Sequence, residues 1–202
     1  VPPEMVSDHA EKLWDVFEVL DGQTRIFFPR NTGREAYQMY LTAAVIEFFK
    51  TGFTFLSLKI GTAGMGVLTL PYIYLLGKEI ANKRVGLLAM GFAGIAYWPN
   101  VIARVALRFI LYPFFAAPVL YHLVRGLKRQ SRNDFILAGI WLGAGLHGYS
   151  TMRIVPFVVV ALVGIYLLHR QAQGVRKQTM IYLALLAVMS AIVFLPLMRY
   201  AL

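Results

Sequence analysis

The sequence predicts an all-α protein, a polytopic transmembrane helical bundle with amphipathic surface helices in an outer N-terminal loop. Hydrophobic residues make up 58% of the 202 residues and charged residues only 15%, against roughly 25% charged residues in a typical soluble domain. Long apolar runs recur from Phe53 to the last residues, separated by short polar connectors. Repeated runs of this kind are typical of helices that cross a bilayer, not of a single buried core.

The apolar runs predict six membrane spans, although several are near or below the ~20 residues needed to cross a bilayer core. We place these spans at 53–77, 85–103, 109–125, 134–149, 154–170 and 179–199. This divides the chain into an outer loop, 1–52, and a transmembrane bundle, 53–202. The chain begins without an initiator Met and ends directly after an apolar run. We therefore expect a single module that is truncated at both ends and lacks an N-terminal anchor helix.

Basic residues predict which connectors share a side of the membrane. Three connectors are rich in Lys and Arg: GKEIANKR (77–84), RGLKRQSR (125–132) and HRQAQGVRK (169–177). The positive-inside rule places them in the cytoplasm and the other connectors, with residues 1–52, outside. The net charge of +10 is concentrated in these connectors, so it does not indicate nucleic-acid binding. The absence of cysteine excludes a disulfide framework and a thiolate metal site.

Two surface helices are expected before the first span. In the stretch VSDHAEKLWDVFEVL, apolar residues and acidic residues each recur at steps of three and four, which is the pattern of an amphipathic helix at a membrane interface. The apolar set is Val6, Ala10, Leu13, Phe17 and Leu20; the acidic set is Asp8, Glu11, Asp15 and Glu18. A second helix is predicted over 35–49, and the intervening DGQTRIFFPRNTGR is predicted to be a loop.

Asp8 is the candidate catalytic residue. One interpretation is structural: Ser7 caps the helix and Asp8 complements its dipole. The other is that Asp8 is a carboxylate at the membrane surface that accepts the proton of a substrate hydroxyl. Asp8, His9 and Glu11 are also weak candidates for ligands of a divalent cation. No cofactor is firmly predicted, and both interpretations of Asp8 stay open.

Several polar residues on the same side are candidate substrate ligands. On a continuous helix Asn100, Arg104 and Arg108 would form one stripe, and arginines at membrane depth require a partner or a bound anion such as phosphate. The alternative to ligand binding is structural: these arginines, and Lys59 in the first apolar run, extend their charged ends to the membrane interface. For Arg34 and Glu35 the structural alternative to ligand binding is a solvated ion pair. The remaining candidates are Arg34, Glu35, Lys59, His147, Tyr149 and Arg153.

Five stretches resemble the bacterial branch of the GT-C membrane glycosyltransferases, in particular the family 39-like group of protein O-mannosyltransferases and aminoarabinose transferases. SDHAEKL (7–13) occupies the place of the acidic motif in the first outer loop, with Asp8 matching the acid and His9 standing where Glu is usual. Lys59 matches an Arg position of the family's next span. The other four stretches are NTGREAYQMYL (31–41), LSLKIGTAGMGVLTLPYIYLLGKEI (56–80), YWPNVIARVALRFILYP (97–113) and GAGLHGYSTMRIVP (143–156).

The resemblance implies the GT-C fold and transfer of a sugar from a polyprenyl-phosphate donor to an acceptor hydroxyl of a protein, lipid or glycan. It implies an integral protein of the bacterial cytoplasmic (inner) membrane with its site on the outer face, in contact with membrane lipid and other membrane subunits. The alternative is a non-catalytic accessory subunit with a GT-C-like scaffold. A transporter is disfavoured, because the ionisable residues cluster at one face and not at the midplane.

Overall fold

The computed structural model describes residues 7–30, 33–169 and 172–201, and helices dominate this part of the chain. Its α-helices are α1 (Ser7–Leu20), α2 (Tyr37–Phe49), α3 (Phe55–Ile80), α4 (Lys83–Ile95), α5 (Tyr97–Arg104), α6 (Leu111–Arg129), α7 (Arg132–Gly145), α8 (Val155–Leu168) and α9 (Arg176–Ala201). Two short 3₁₀ helices, Arg108–Ile110 and Ser150–Ile154, precede α6 and α8. A two-residue antiparallel ladder pairs β1 (Phe27–Phe28) with β2 (Arg34–Glu35). The predicted all-α class is confirmed.

Four helical segments in the described residues are long and apolar enough to cross a membrane: Phe55–Ile80, Arg108–Arg129, Ser150–Leu168 and Arg176–Tyr200. A fifth span arises if α4 and α5, which meet at an angle of 51°, are counted as one broken helix. The predicted span 134–149 corresponds to α7, which has only 14 residues. The helical membrane protein is thus confirmed, whereas the count of six spans stays a prediction.

The predicted span over 85–103 is bent at a break between α4 and α5. Ala96 adopts an extended backbone between α4 and α5. Pro99 has no amide hydrogen to continue the ladder from the preceding turn. The side-chain amide of Asn100 instead donates to the carbonyls of Gly94 and Ala96, at 2.8 and 2.9 Å. The break therefore has a local chemical cause, and Asn100 satisfies the carbonyls that the break exposes.

The connectors gather at two opposite ends of the bundle. At the end that we call the basic end, Arg129 donates to Glu79 at 3.0 Å, and Gln130 contacts both Tyr166 and Thr179 at 3.2 Å. These contacts join the connectors near 77–84, 125–132 and 166–179. This grouping of the three basic connectors agrees with the prediction that they lie on one side of the membrane. Which end faces the outside stays a prediction.

The other end, which we call the α1 end, carries both surface helices. Phe27 in β1 lies 5.6 Å from the Tyr200 ring of α9, and the Tyr37 ring of α2 lies 6.0 Å from His147. The α1–α2 unit has its own small core, in which Val16, Phe28 and Met39 are fully buried. These contacts fix the surface helices to the bundle.

Glycine allows close helix packing between α7 and α9. A Cβ atom added at Gly139 would lie 2.5 Å from the carbonyl oxygen of Leu186, and one at Gly143 would lie 2.6 Å from that of Ser190. The two glycines are four residues apart and so share one face of α7. Small residues at this spacing let helix backbones meet in a membrane, where no hydrophobic effect drives the helices together.

Candidate functional site

A row of carboxylates lies along α1. Asp8, Glu11, Asp15 and Glu18 follow the predicted three- and four-residue spacing, so they project from the same side of the helix. The exposed fraction of the side chain falls from 35% at Asp8 and 44% at Glu11 to zero at Asp15. We call this set the carboxylate row. Its most accessible members lie in the first two turns of the helix.

Arg34 faces the first three members of the carboxylate row. Its guanidinium donates to Asp8 and Glu11 at 2.8 Å each and to Asp15 at 3.3 Å, and the side chain is only 1% exposed. Lys12 approaches the other oxygen of Asp8 at 2.7 Å. Both oxygens of Asp8 therefore accept charge-assisted hydrogen bonds, while about a third of the side chain remains accessible.

Arg30 and Arg25 face the other end of the row. Arg30 donates to Asp15 at 2.6 Å and also bonds Glu18, and Arg25 lies 3.3 Å from the second oxygen of Glu18. These arginines come from the segment that was predicted to be a loop. The β1–β2 ladder holds Phe27–Phe28 against Arg34–Glu35, and two arginines five residues apart reach the same helix.

The prediction that Glu35 begins the second surface helix is wrong. Arg34 and Glu35 form β2, and α2 begins at Tyr37. The interpretation as a solvated ion pair is also wrong, because both side chains are buried and neighbouring residues of a strand point to opposite faces. Arg34 meets α1, whereas Glu35 accepts a hydrogen bond from Arg108 at 3.0 Å.

The turn after α5 is held by side chains of both surface helices. His9 donates from Nε2 to the carbonyl of Val105 at 2.7 Å. The carbonyl of Ala106 accepts from Gln38 at 2.8 Å and from Lys12 at 3.4 Å. Ala106 has a φ of 59°, a left-handed conformation that is costly for a residue with a Cβ. We infer that these three donors stabilise the strained turn.

This turn also overturns the predicted stripe of Asn100, Arg104 and Arg108. The helix ends at Arg104, and Arg108 belongs to the next 3₁₀ segment, so the three residues do not share one continuous helix. Asn100 bonds the backbone of the α4–α5 break. Arg104 is exposed, and no carboxylate among the described residues pairs with it. Arg108 turns toward Glu35 and lies 5.7 Å from the centre of the Tyr149 ring.

The remaining candidates also lie at the α1 end, in different environments. Lys59 is half-buried and its ammonium lies 4.1 Å from the centre of the Phe55 ring. His147 donates from Nε2 to the carbonyl of Val193 at 3.0 Å. Arg153 is exposed. The structure brings Lys59 toward the α5 turn, because Thr62, one helical turn further on, donates to the carbonyl of Ala103 at 2.8 Å.

Burial and charge set the ionisation of the groups around α1. Burial lowers the pKa of His9, and the nearby Lys12 ammonium lowers it further, which favours the neutral ring. Burial also lowers the pKa of Lys12, although Asp8 acts in the opposite direction. Arg30 lowers the pKa of Glu18 through their hydrogen bond. The carboxylate row is thus neutralised by two buried cations, Lys12 and Arg34, and by two partly exposed ones, Arg25 and Arg30.

The weak metal prediction at Asp8, His9 and Glu11 finds no support in the geometry. Within the described residues, no group of three or more His, Asp or Glu side chains is arranged to hold a metal ion. His9 is 2% exposed and uses Nε2 to hold the Val105 carbonyl, whereas Glu11 turns toward Arg34. A divalent cation therefore stays a prediction from sequence alone.

An apolar cleft of about 230 Å³ lies between α3, α4, α5 and the start of α6. Along α3 its wall runs from Ala63 to Ile73, a distance of about 15 Å at the helical rise per residue. Asn100 and Arg104 are its polar wall residues from α5. A narrow apolar cleft with a cation at its rim matches a molecule that has a hydrocarbon chain and an anionic head.

Sequence reasoning missed the residues that organise the carboxylate row. Lys12, Arg30 and Gln38 were not singled out, yet each makes a buried or half-buried polar contact at this site. One signal was available: four acids on one helical face require nearby cations if that face is covered. Nothing in the local pattern indicated that the face is covered by a hairpin.

The comparisons with known proteins agree with this arrangement. A profile of the family described as dolichyl-phosphate-mannose-protein mannosyltransferase matches residues 37–200. The chain belongs to this family. The predicted GT-C relationship and a mannosyltransferase-like membrane glycosyltransferase are thereby confirmed. The matched region of the mannosyltransferase family begins after α1 and β2, so the carboxylate row lies before it. No curated protein and no solved structure matches the chain.

Proposed function

We propose that this protein transfers a sugar from a polyprenyl-phosphate donor to an acceptor hydroxyl at the outer face of the bacterial cytoplasmic membrane. The observation that carries the proposal is the meeting of two features at the α1 end. One is the accessible start of the carboxylate row, at Asp8 and Glu11; the other is the apolar cleft with Arg104 on its wall. A lipid-linked donor and a hydroxyl acceptor need these two kinds of site side by side.

The donor would lie with the first part of its hydrocarbon chain in the cleft and its phosphate at the α5 turn. Arg104 is exposed and Lys59 is half-buried, and neither pairs with a carboxylate among the described residues. Cations without a carboxylate partner are suited to a phosphate, because binding does not first require an existing ion pair to break. Arg108, which bonds Glu35, would complete the positive surroundings of the phosphate.

In the proposed reaction, Asp8 removes the proton of the acceptor hydroxyl. The acceptor oxygen forms a bond to the anomeric carbon, and the bond from that carbon to the phosphate oxygen breaks with inversion. The phosphate leaves with the electron pair, and the nearby cations stabilise its developing charge. The ion pairs of Asp8 with Lys12 and Arg34 orient the base.

Asp8→Asn tests the catalytic role. We expect sugar transfer to fall by ~10²–10⁴-fold, because Asn cannot take the proton. The change also weakens the ion pairs of Asp8 with Lys12 and Arg34, so activity is compared at a temperature at which thermal melting shows the variant to be folded. Glu47→Gln is the matched control, since Glu47 is 68% exposed and pairs only loosely with Lys50 at 3.8 Å. Transfer is measured with a short-chain polyprenyl-phosphate mannose and the detergent-solubilised chain. Equal, nonzero activity of wild type and Asp8→Asn would exclude Asp8 as the base.

The same assay separates the alternative, a non-catalytic accessory subunit. His9 favours that alternative, because it stands at the usual Glu position of the acidic motif and acts here as a buried donor to Val105. An accessory subunit would show no transfer in wild type or in either variant, yet could keep donor binding. Repeating the transfer assay with a protein, a lipid and a glycan acceptor identifies the acceptor class. Adding neighbouring membrane subunits to the same assay tests whether transfer requires them.

A further inference from the structure

We propose that a groove between the β1 segment, α2 and α9 binds sugar rings of an acceptor that already carries a glycan. The groove consists of two adjoining cavities that share Arg25 and Ile26 as a common wall. The inner cavity, of about 300 Å³, also touches Tyr37 and His147. The outer cavity, of about 470 Å³, extends to Tyr200. The identity of the ligand as an acceptor rests on the proposed function; the binding of sugar does not.

The inner cavity offers hydrogen-bonding groups that the fold itself does not use. In the imidazole tautomer that donates from Nε2 to Val193, Nδ1 of His147 is an acceptor. Among the described residues, no hydrogen bond to the Tyr37 hydroxyl is present. Burial raises the pKa of Tyr37, so this hydroxyl keeps its proton and can donate. One donor and one acceptor beside an apolar floor match a ring that presents both hydroxyl groups and a C–H face.

The charge of the groove disfavours an anionic ligand. Arg25 is already paired with Glu18 at 3.3 Å, and its second nitrogen donates to Gln23 at 2.8 Å. A purely apolar ligand is also disfavoured. It would cover the Tyr37 hydroxyl and the His147 nitrogen and offer no hydrogen bonds in place of those to water. A neutral polyol satisfies both groups and brings no charge.

The shape of the groove is fixed before a ligand arrives. Tyr40 donates from its hydroxyl to the carbonyl of Arg25 at 2.9 Å, which fastens the shared wall to α2. Phe27 and Tyr200 lie 5.6 Å apart in the outer cavity and offer aromatic surface. Two cavities in line are suited to two or more linked rings, not to a single small molecule.

The Arg25 wall of the groove lies away from the proposed reacting centre. Glu18, the ion-pair partner of Arg25, lies ten residues after Asp8 on α1, which corresponds to about 15 Å along the helix. A donor sugar at Asp8 does not span that distance. The groove therefore corresponds to a part of the acceptor remote from the new bond.

Saturation-transfer NMR on the detergent-solubilised chain tests this site, with methyl α-mannoside and an α-linked mannobiose as probes. We expect both to bind and the disaccharide to bind more tightly. Tyr37→Phe removes one hydroxyl, and His147→Gln keeps a donor for Val193 but loses the second ring nitrogen. Each should weaken binding about 2- to 10-fold. Tyr74→Phe, at a tyrosine of α3 that does not line either cavity, should leave it unchanged.

Several results would overturn the proposal. One is no saturation transfer to either sugar; another is wild-type affinity in both variants. Displacement of mannobiose by a short-chain polyprenyl-phosphate mannose would assign the groove to the donor, and displacement by an unglycosylated Ser-containing peptide would assign it to peptide. Thermal melting confirms that each variant is folded. If only one of the two variants folds, its affinity alone tests the site. Because binding is measured without turnover, sugar binding with no transfer would reject the proposed function and leave this site standing.

Discussion

Replacing Arg34 by Met is the sharpest test of how α1 is held. The guanidinium is 1% exposed and donates to Asp8, Glu11 and Asp15. Met keeps much of the apolar length of the side chain but removes all three hydrogen bonds. Asp15, with no exposed surface, would keep only its bond to Arg30.

The expected loss of stability follows from the burial of this cluster. Removing one partner of a buried ion pair typically costs about 3–5 kcal/mol, because the remaining charge is left buried without full compensation. Asp8 and Glu11 are partly exposed, so water can replace some of what they lose. We therefore expect Arg34→Met to destabilise the protein by about 3 kcal/mol, the lower part of that range.

Arg129→Met is the matched control for this change. Arg129 is 56% exposed, and within the described part of the chain it makes one side-chain hydrogen bond, to Glu79 at the basic end. Exposed pairs of this kind contribute about 0–1 kcal/mol. Stability is measured by denaturant or thermal unfolding in one detergent. Neither substitution directly alters the contact between Asp8 and Lys12.

The result that would refute the reasoning is equal destabilisation by the two substitutions. That outcome would mean that the carboxylate row is effectively solvated and that Arg34 holds α1 no better than a surface pair. A further check is Arg34→Met combined with Asp15→Asn. If the cost arises from a buried uncompensated charge, neutralising Asp15 should recover part of the lost stability.

Three further outcomes are expected. Gly143→Ala should destabilise the bundle by at least about 1 kcal/mol, because its Cβ would lie 2.6 Å from the Ser190 carbonyl oxygen. Gly164→Ala should not, because among the described residues an added Cβ there meets no other part of the fold within 4 Å. Equal melting temperatures of the two variants would contradict the α7–α9 contact. Since the pKa of His9 is lowered by burial, the unfolded chain takes up a proton first as the pH falls below 6.5, so stability should decrease in that window and be unaffected above it. His9→Gln should reduce this pH dependence between pH 7.5 and 5.5 in thermal melts, and an unchanged profile would argue against a buried neutral ring. Arg104→Gln should weaken binding of a short-chain polyprenyl phosphate by about 10-fold or more, as expected for loss of a hydrogen bond from a charged group, and an equal effect of Arg129→Gln in the same titration would show only non-specific charge attraction.

The sequence alone determined the class of the protein and the grouping of its connectors. Apolar runs reflect the hydrocarbon core of the bilayer, and basic connectors reflect the side of the membrane on which they lie. Both can therefore be interpreted from the sequence without knowledge of any tertiary contact. The acids of α1 were likewise predictable as one helical face, because the spacing of three and four residues is a property of the helix itself. The family resemblance rested on short motifs in the right order, and the family match over 37–200 agrees with it.

Tertiary structure decided what each charged residue meets. Arg34 and Glu35 are adjacent in sequence, yet a strand sends one to α1 and the other to Arg108. Asn100, Arg104 and Arg108 have helical spacing, but the extended Ala96 and the left-handed Ala106 interrupt the backbone on either side of α5. The Arg108–Glu35 pair and the turn at Ala106 depend on contacts between segments more than 60 residues apart, such as Gln38 with the Ala106 carbonyl. Local periodicity carries no information about such partners, since a hydrogen bond between distant segments exists only once the chain has folded.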